Sequence, residues 1–147
     1  MATEIRKVIG EQLKWLLKAD NFSLLSDERG DERHGSWEWV YHKRDTLERY
    51  VIATLTSLPL ILRETSRSEY AIEIWIGVEE GNRYVRQLVE EFIAEDAFFD
   101  DSSKVMEKLS KTLGDALRLV SQFNTSDLTE AYFIPRKPAV ERKEKHV

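Results

Sequence analysis

The chain contains no cysteine in its 147 residues. Disulfides, thiolate nucleophiles, iron–sulfur clusters and thiolate zinc sites are therefore excluded. It also lacks the glycine-rich signatures of common nucleotide enzymes, with neither a Gly-x-x-x-x-Gly-Lys-Ser/Thr loop nor a Gly-x-Gly-x-x-Gly turn. No serine sits in a Gly-x-Ser-x-Gly elbow. No apolar run approaches the roughly 18 residues of a membrane-spanning helix. The first residues, Met1-Ala2-Thr3-Glu4-Ile5-Arg6-Lys7, pass straight into an amphipathic pattern rather than the apolar core of a signal peptide. These absences point to a cytoplasmic protein, with no membrane contact and no cofactor.

What is present describes a soluble globular domain. The composition is 41% apolar and 33% charged, outside the range of disordered chains. A chain of this length buries about two thirds of its unfolded surface, so it needs no metal or disulfide to hold it together. Charge is unevenly spread. The whole chain stands at −5, but residues 136–147 (RKPAVERKEKHV) carry a net of +3, leaving −8 on the rest. An acidic body repels a polyanion, which disfavours nucleic acid as a partner. The sequence divides into a single α+β domain over 1–135 and a basic, solvated, mobile tail over 136–147.

Ile5, Val8, Ile9, Leu13, Leu16 and Leu17 recur at helical spacing, and Asp20-Asn21 supplies residues that tolerate a left-handed stop. Gly10 inside that helix costs about 1 kcal/mol relative to alanine, which suggests close packing there or simple tolerance. Residues 22–25 read as a short strand and 27–35, with two glycines and no apolar side chain, as a loop. Trp37, Trp39 and Tyr41 alternate with Glu38, Val40 and His42, the mark of a strand. Residues 46–58 carry both a helical stripe and β-branched Val51, Ile52, Thr54 and Thr56, and the strand is preferred. Residues 70–78 form the best strand, with Ile72, Ile74 and Ile76 on one side and Glu73 and Trp75 on the wetter other side. Val85, Leu88, Val89, Phe92 and Ile93 have helical spacing, as do the apolar residues between about Ser103 and Phe123. Ala131-Tyr132-Phe133-Ile134 reads as a last short strand or extended arm.

The expected architecture is an α+β two-layer domain: a mainly antiparallel sheet of 3–5 strands covered on one face by three amphipathic helices. Its opening α-β-β-β-α order resembles folds shared by small bacterial chaperone and adaptor proteins, and no motif assigns it to a family.

Two clusters could carry function. Trp37, Trp39 and Tyr41 would share one face of a strand ending in Lys43 and Arg44, and exposed rings beside cations can hold a peptide or stack unpaired bases. Buried, the same rings would simply be core. Trp75 joins them as an interface candidate on its own strand. Phe98 and Phe99 lie behind, in the acidic stretch 90–101 (EEFIAEDAFFDD), whose acids favour the start of the helix that follows. Asp27, Asp31, Glu32, His34 and His42 offer carboxylate and imidazole ligands that suit Mg²⁺, Mn²⁺ or Fe²⁺. Their spacing matches no ligand motif such as His-Glu-x-x-His, and neither Glu38 nor Glu73 is followed two positions on by the lysine of a metal nuclease.

The preferred reading is a noncatalytic protein-interaction domain (adaptor, chaperone-like or assembly subunit) that binds another protein, or a second copy as a homodimer, through an aromatic sheet surface. The alternative is a metal-dependent hydrolase or nuclease built on the Asp27–His42 cluster. A single-stranded nucleic-acid binder is the third.

Overall fold

A computed structural model describes residues 2–29, 36–57, 69–81 and 83–122. In chain order these form α1 (Ala2–Lys18), β1 (Ser23–Arg29), β2 (Trp37–Arg44), β3 (Glu48–Ser57), β4 (Glu69–Glu80), β5 (Arg83–Glu95), a 3₁₀ turn (Asp96–Asp100) and α2 (Ser102–Gln122). The five strands make one antiparallel sheet in sequential order, each pairing with the next. Residues 123–147, including the expected arm at 131–134 and the basic tail, lie outside the described residues.

Both helices pack on the same sheet face. Ile5, Ile9, Leu13 and Leu17 of α1 and Val105, Leu109, Leu113, Ala116 and Val120 of α2 share one core with Trp39, Val51, Ile72, Ile74 and Ile76. Directly paired residues of an antiparallel sheet share a face. The registers Trp39↔Ala53 and Ala53↔Ile74 therefore define the helix side, and Val40↔Ile52 and Ile52↔Trp75 define the other.

Local signals close the helices. Asn21 adopts φ 67°, and the amides of Asn21 and Phe22 donate to the carbonyls of Lys18 and Leu17, a Schellman stop for α1. The Asp101 carboxylate accepts from the Ser103 and Lys104 amides at 3.0 and 3.4 Å, capping α2. A Cβ added at Gly10 would lie 3.2 Å from the indole nitrogen of Trp39. Close packing thus accounts for this glycine. Gly10→Val should destabilise the fold by about 1–3 kcal/mol through forced displacement of a wedged ring, measured as a lower urea midpoint at unchanged m-value.

The expectation of three helices is corrected to two among the described residues. Residues 84–93 belong to strand β5, not to a helix. A bulge explains the misleading pattern. Trp75 pairs with Leu88 but Ile74 pairs with Glu90, so Val89 is the extra residue. Val85, Val89 and Phe92 all meet the helix-side core, and their spacings of four and then three imitate an α-helix. The expected loop at 27–35 is also shortened, because Asp27, Glu28 and Arg29 continue β1 along the sheet edge.

Candidate functional site

The aromatic strand β2 does not present an aromatic surface. Trp39 is 2% and Tyr41 4% exposed, both within the helix-side core. Burial, reinforced by the Asp27 carboxylate, pushes the Tyr41 hydroxyl up to about 12. Phe99 is likewise buried, edge-to-face with Tyr70 at 5.9 Å, and Phe98 is half-buried against Phe92 and Phe99. Interface roles expected for Trp39, Tyr41 and Phe99 are thus corrected to packing, since the helices lie on the face to which these rings point. Trp37 is half-buried at the rim. The Arg6 guanidinium stacks 3.9 Å over its ring, and its indole N–H donates to the Asp27 carboxylate. With Lys7, Lys14 and Leu24 these residues line an open cleft of about 450 Å³ between α1 and the sheet edge.

The metal cluster is not assembled as expected either. Asp27 pairs with Trp39 on the helix side, whereas His42 pairs with Tyr50 on the opposite side. The sheet itself separates these two ligands. Asp31, Glu32 and His34 lie outside the described residues, and among the described residues no three His, Asp or Glu side chains converge on a point that could hold a metal ion.

The sheet face that neither helix covers is the candidate surface. Here Val40, Tyr50, Ile52 and Tyr84 form a second small core, flanked by Leu25 and Trp75. Sequence reading placed Trp75 on this wetter side, and the register agrees. Its indole donates to Glu73 Oε1 at 2.9 Å, and the Arg86 guanidinium lies 4.3 Å over its ring, a cation–π contact of roughly 0.5–1 kcal/mol where partly exposed. Around it Leu88 is 38% and Ile93 60% exposed, both on this face by their pairing with Trp75 and Ala71.

Carboxylates frame these apolar groups. Glu73 pairs with Glu91, and Glu48 with Glu79. Hydrogen bonding to Glu73 and its like charge hold the Glu91 carboxyl above the usual range. At the other end of the face, His42 Nδ1 lies 2.5 Å from Glu48 Oε2 and the Tyr50 hydroxyl donates to Glu79 Oε1 at 2.8 Å. Burial, followed by that bond to Glu79, drives the Tyr50 hydroxyl upward. With Leu25, Leu47 and Glu80 these residues line a pocket of about 600 Å³.

Two polar atoms on this face are buried where the Tyr84 and Arg86 side chains meet. The Tyr84 hydroxyl and Arg86 Nε are sealed from water without a hydrogen bond among the described residues. Such a group costs about 1–3 kcal/mol until something satisfies it. Sequence reading missed Tyr50, Glu79, Tyr84 and Arg86. The last two fell in the presumed third helix, and Tyr50 in a segment whose strand character was only just preferred. No family model, curated protein or solved structure matches the chain.

Proposed function

We propose that this chain is a small noncatalytic protein-interaction domain, acting as an adaptor, chaperone or assembly subunit, that binds another protein through the helix-free face of its sheet. The observation that carries the reading is the group of Trp75, Leu88 and Ile93 on a face that neither helix covers, rimmed by Glu73 and Glu91. A tryptophan under an arginine beside exposed aliphatic side chains, with charge at the margin, has the anatomy of an interface centre and its polar rim.

The rival readings find less support. A hydrolase built on Asp27 and His42 would need them on one face. A strand of stacking rings for single-stranded nucleic acid would need Trp39 and Tyr41 exposed, and the carboxylates of the helix-free face repel phosphate.

The test compares baits. Ile93→Lys should leave stability within about 0.5 kcal/mol of the parent, as for other exposed positions. In quantitative mass spectrometry of pull-downs from the native extract, the partner retained stoichiometrically by the parent should be lost from Ile93→Lys. It should be kept by Trp15→Lys, which alters an indole 67% exposed on α1. Equal retention by both variants would refute the reading.

A further inference from the structure

We propose that the acidic helix-free face is the docking surface of the chain's own C-terminal segment, residues 131–147. This rests on the interaction reading and goes beyond it: the segment occupies the face when no partner protein is bound, and the partner displaces it.

The described chain ends close to this face. Arg49 Nη1 donates to the Val120 carbonyl at 2.6 Å, which pins the last turn of α2 to the start of β3. Arg49 points to the helix side, and its neighbour Glu48 points to the other. Glu48 belongs to the 600 Å³ pocket with His42, Tyr50, Glu79 and Glu80. The chain therefore leaves α2 at the end of the sheet that carries Glu48, Glu79 and Glu80, beside Arg44 and His42, with Glu73 and Glu91 farther along the same face. Residues 123–130, the eight that precede the segment, span up to about 26 Å when extended, more than twice the roughly 10 Å diameter of a helix. They can carry the segment round the sheet end.

Segment and face are also complementary. Residues 136–147 hold a net charge of +3, and the face presents Glu48, Glu73, Glu79 and Glu91 against two cations among the described residues, Arg44, which pairs with Glu48, and Arg86 over Trp75. A lysine or arginine placed between Glu73 and Glu91 would relieve the repulsion that raises the Glu91 carboxyl. Tyr132, Phe133 and Ile134 precede the basic run and match the exposed Leu88 and Ile93. The cleft between α1 and the sheet edge carries Arg6, Lys7 and Lys14 against Glu11 and Asp27, a balance that attracts a basic segment less.

The absence of cysteine makes the test clean. Ala139→Cys in the full chain accepts a single nitroxide label, and paramagnetic broadening is then read across the ¹⁵N-labelled protein. The expected result is loss of the Trp75 indole signal and the Leu88 and Ile93 amide signals, with the Trp15 indole on α1 unaffected. Those signals should return in about 1 M salt, where the Debye length falls to about 3 Å. They should also return in the charge-reversed variant Glu91→Lys, at an exposed position that leaves the fold intact. No broadening at Trp75 and Ile93, equal broadening at Trp15, or broadening indifferent to salt would each overturn the proposal. So would equal broadening in spin-free ¹⁵N-labelled copies mixed with spin-labelled ¹⁴N copies, which would assign the contact to a second molecule. Failure here, with partner capture still sensitive to Ile93→Lys, leaves the interaction reading intact. Loss of partner capture with intact broadening does the reverse.

Discussion

Trp39→Ala should cost about 3–5 kcal/mol of unfolding free energy, the range for truncating a buried aromatic side chain. The ring is 2% exposed in β2, with α1 across it and Gly10 approaching its indole nitrogen. Removing it leaves a cavity that α1 cannot collapse into without shifting Ile9 and Leu13, which belong to the same core. A domain of this size has about 5–15 kcal/mol in total, so the variant should be substantially destabilised and part-unfolded on mild warming. Urea titration followed by far-ultraviolet circular dichroism measures the loss without relying on tryptophan fluorescence. A change below about 1 kcal/mol, within the ordinary range of surface substitutions, would mean that the strand's aromatic face is not core.

The second large effect is expected at Arg49, one of few charged side chains buried in the helix-side layer. Its Nε donates to both oxygens of Asp45 at 3.1 and 3.0 Å, and its Nη1 reaches the Val120 carbonyl at 2.6 Å. One side chain thus joins the β2–β3 turn to the end of α2. Arg49→Met keeps most of the apolar stem but leaves that carbonyl without this donor. The charged hydrogen bond contributes about 1.5–3 kcal/mol. The Asp45 pair adds little, because that carboxylate is 47% exposed and screened by water. A total loss of about 2–3 kcal/mol follows, together with faster hydrogen exchange in the last turn of α2. Arg49→Lys should lose nearly as much, since an ammonium cannot span both acceptors as the guanidinium fork does. The Asp45 carboxyl is held below its ordinary range chiefly by the Leu47 amide, with Arg49 a lesser cause. It should therefore stay depressed in Arg49→Met, and a carboxyl titration by NMR that shows full return to the ordinary value would contradict this account of the turn.

These two positions mark what a sequence can and cannot disclose. The α1 stripe, the β4 alternation and the α2 stripe are periodic enough to identify their elements, and Asn21 announces its own left-handed stop. β5 is hidden because one bulged residue, Val89, converts a period of two into spacings that a helix would give. β1 is underestimated because Asp27 and Glu28 are polar, and an edge strand tolerates charge that a central strand would not. The candidate site follows the same logic. Alternation shows that Trp37, Trp39 and Tyr41 share a face but not which face the helices cover. Trp75 could be placed on the wetter side because the opposite side of its strand is uniformly isoleucine. Arg49 gave no signal in one dimension, since its partner carbonyl lies 71 residues away.

The helix-free face is best tested by a photo-crosslinking amino acid placed at Ile93, with a matched one at Trp15 on the outer side of α1, each irradiated in the native extract. The expected result is one stoichiometric adduct from position 93 and none from position 15. An adduct from position 15 alone, or none from position 93 under conditions where the parent retains a partner, would contradict the assignment of the interaction to this face.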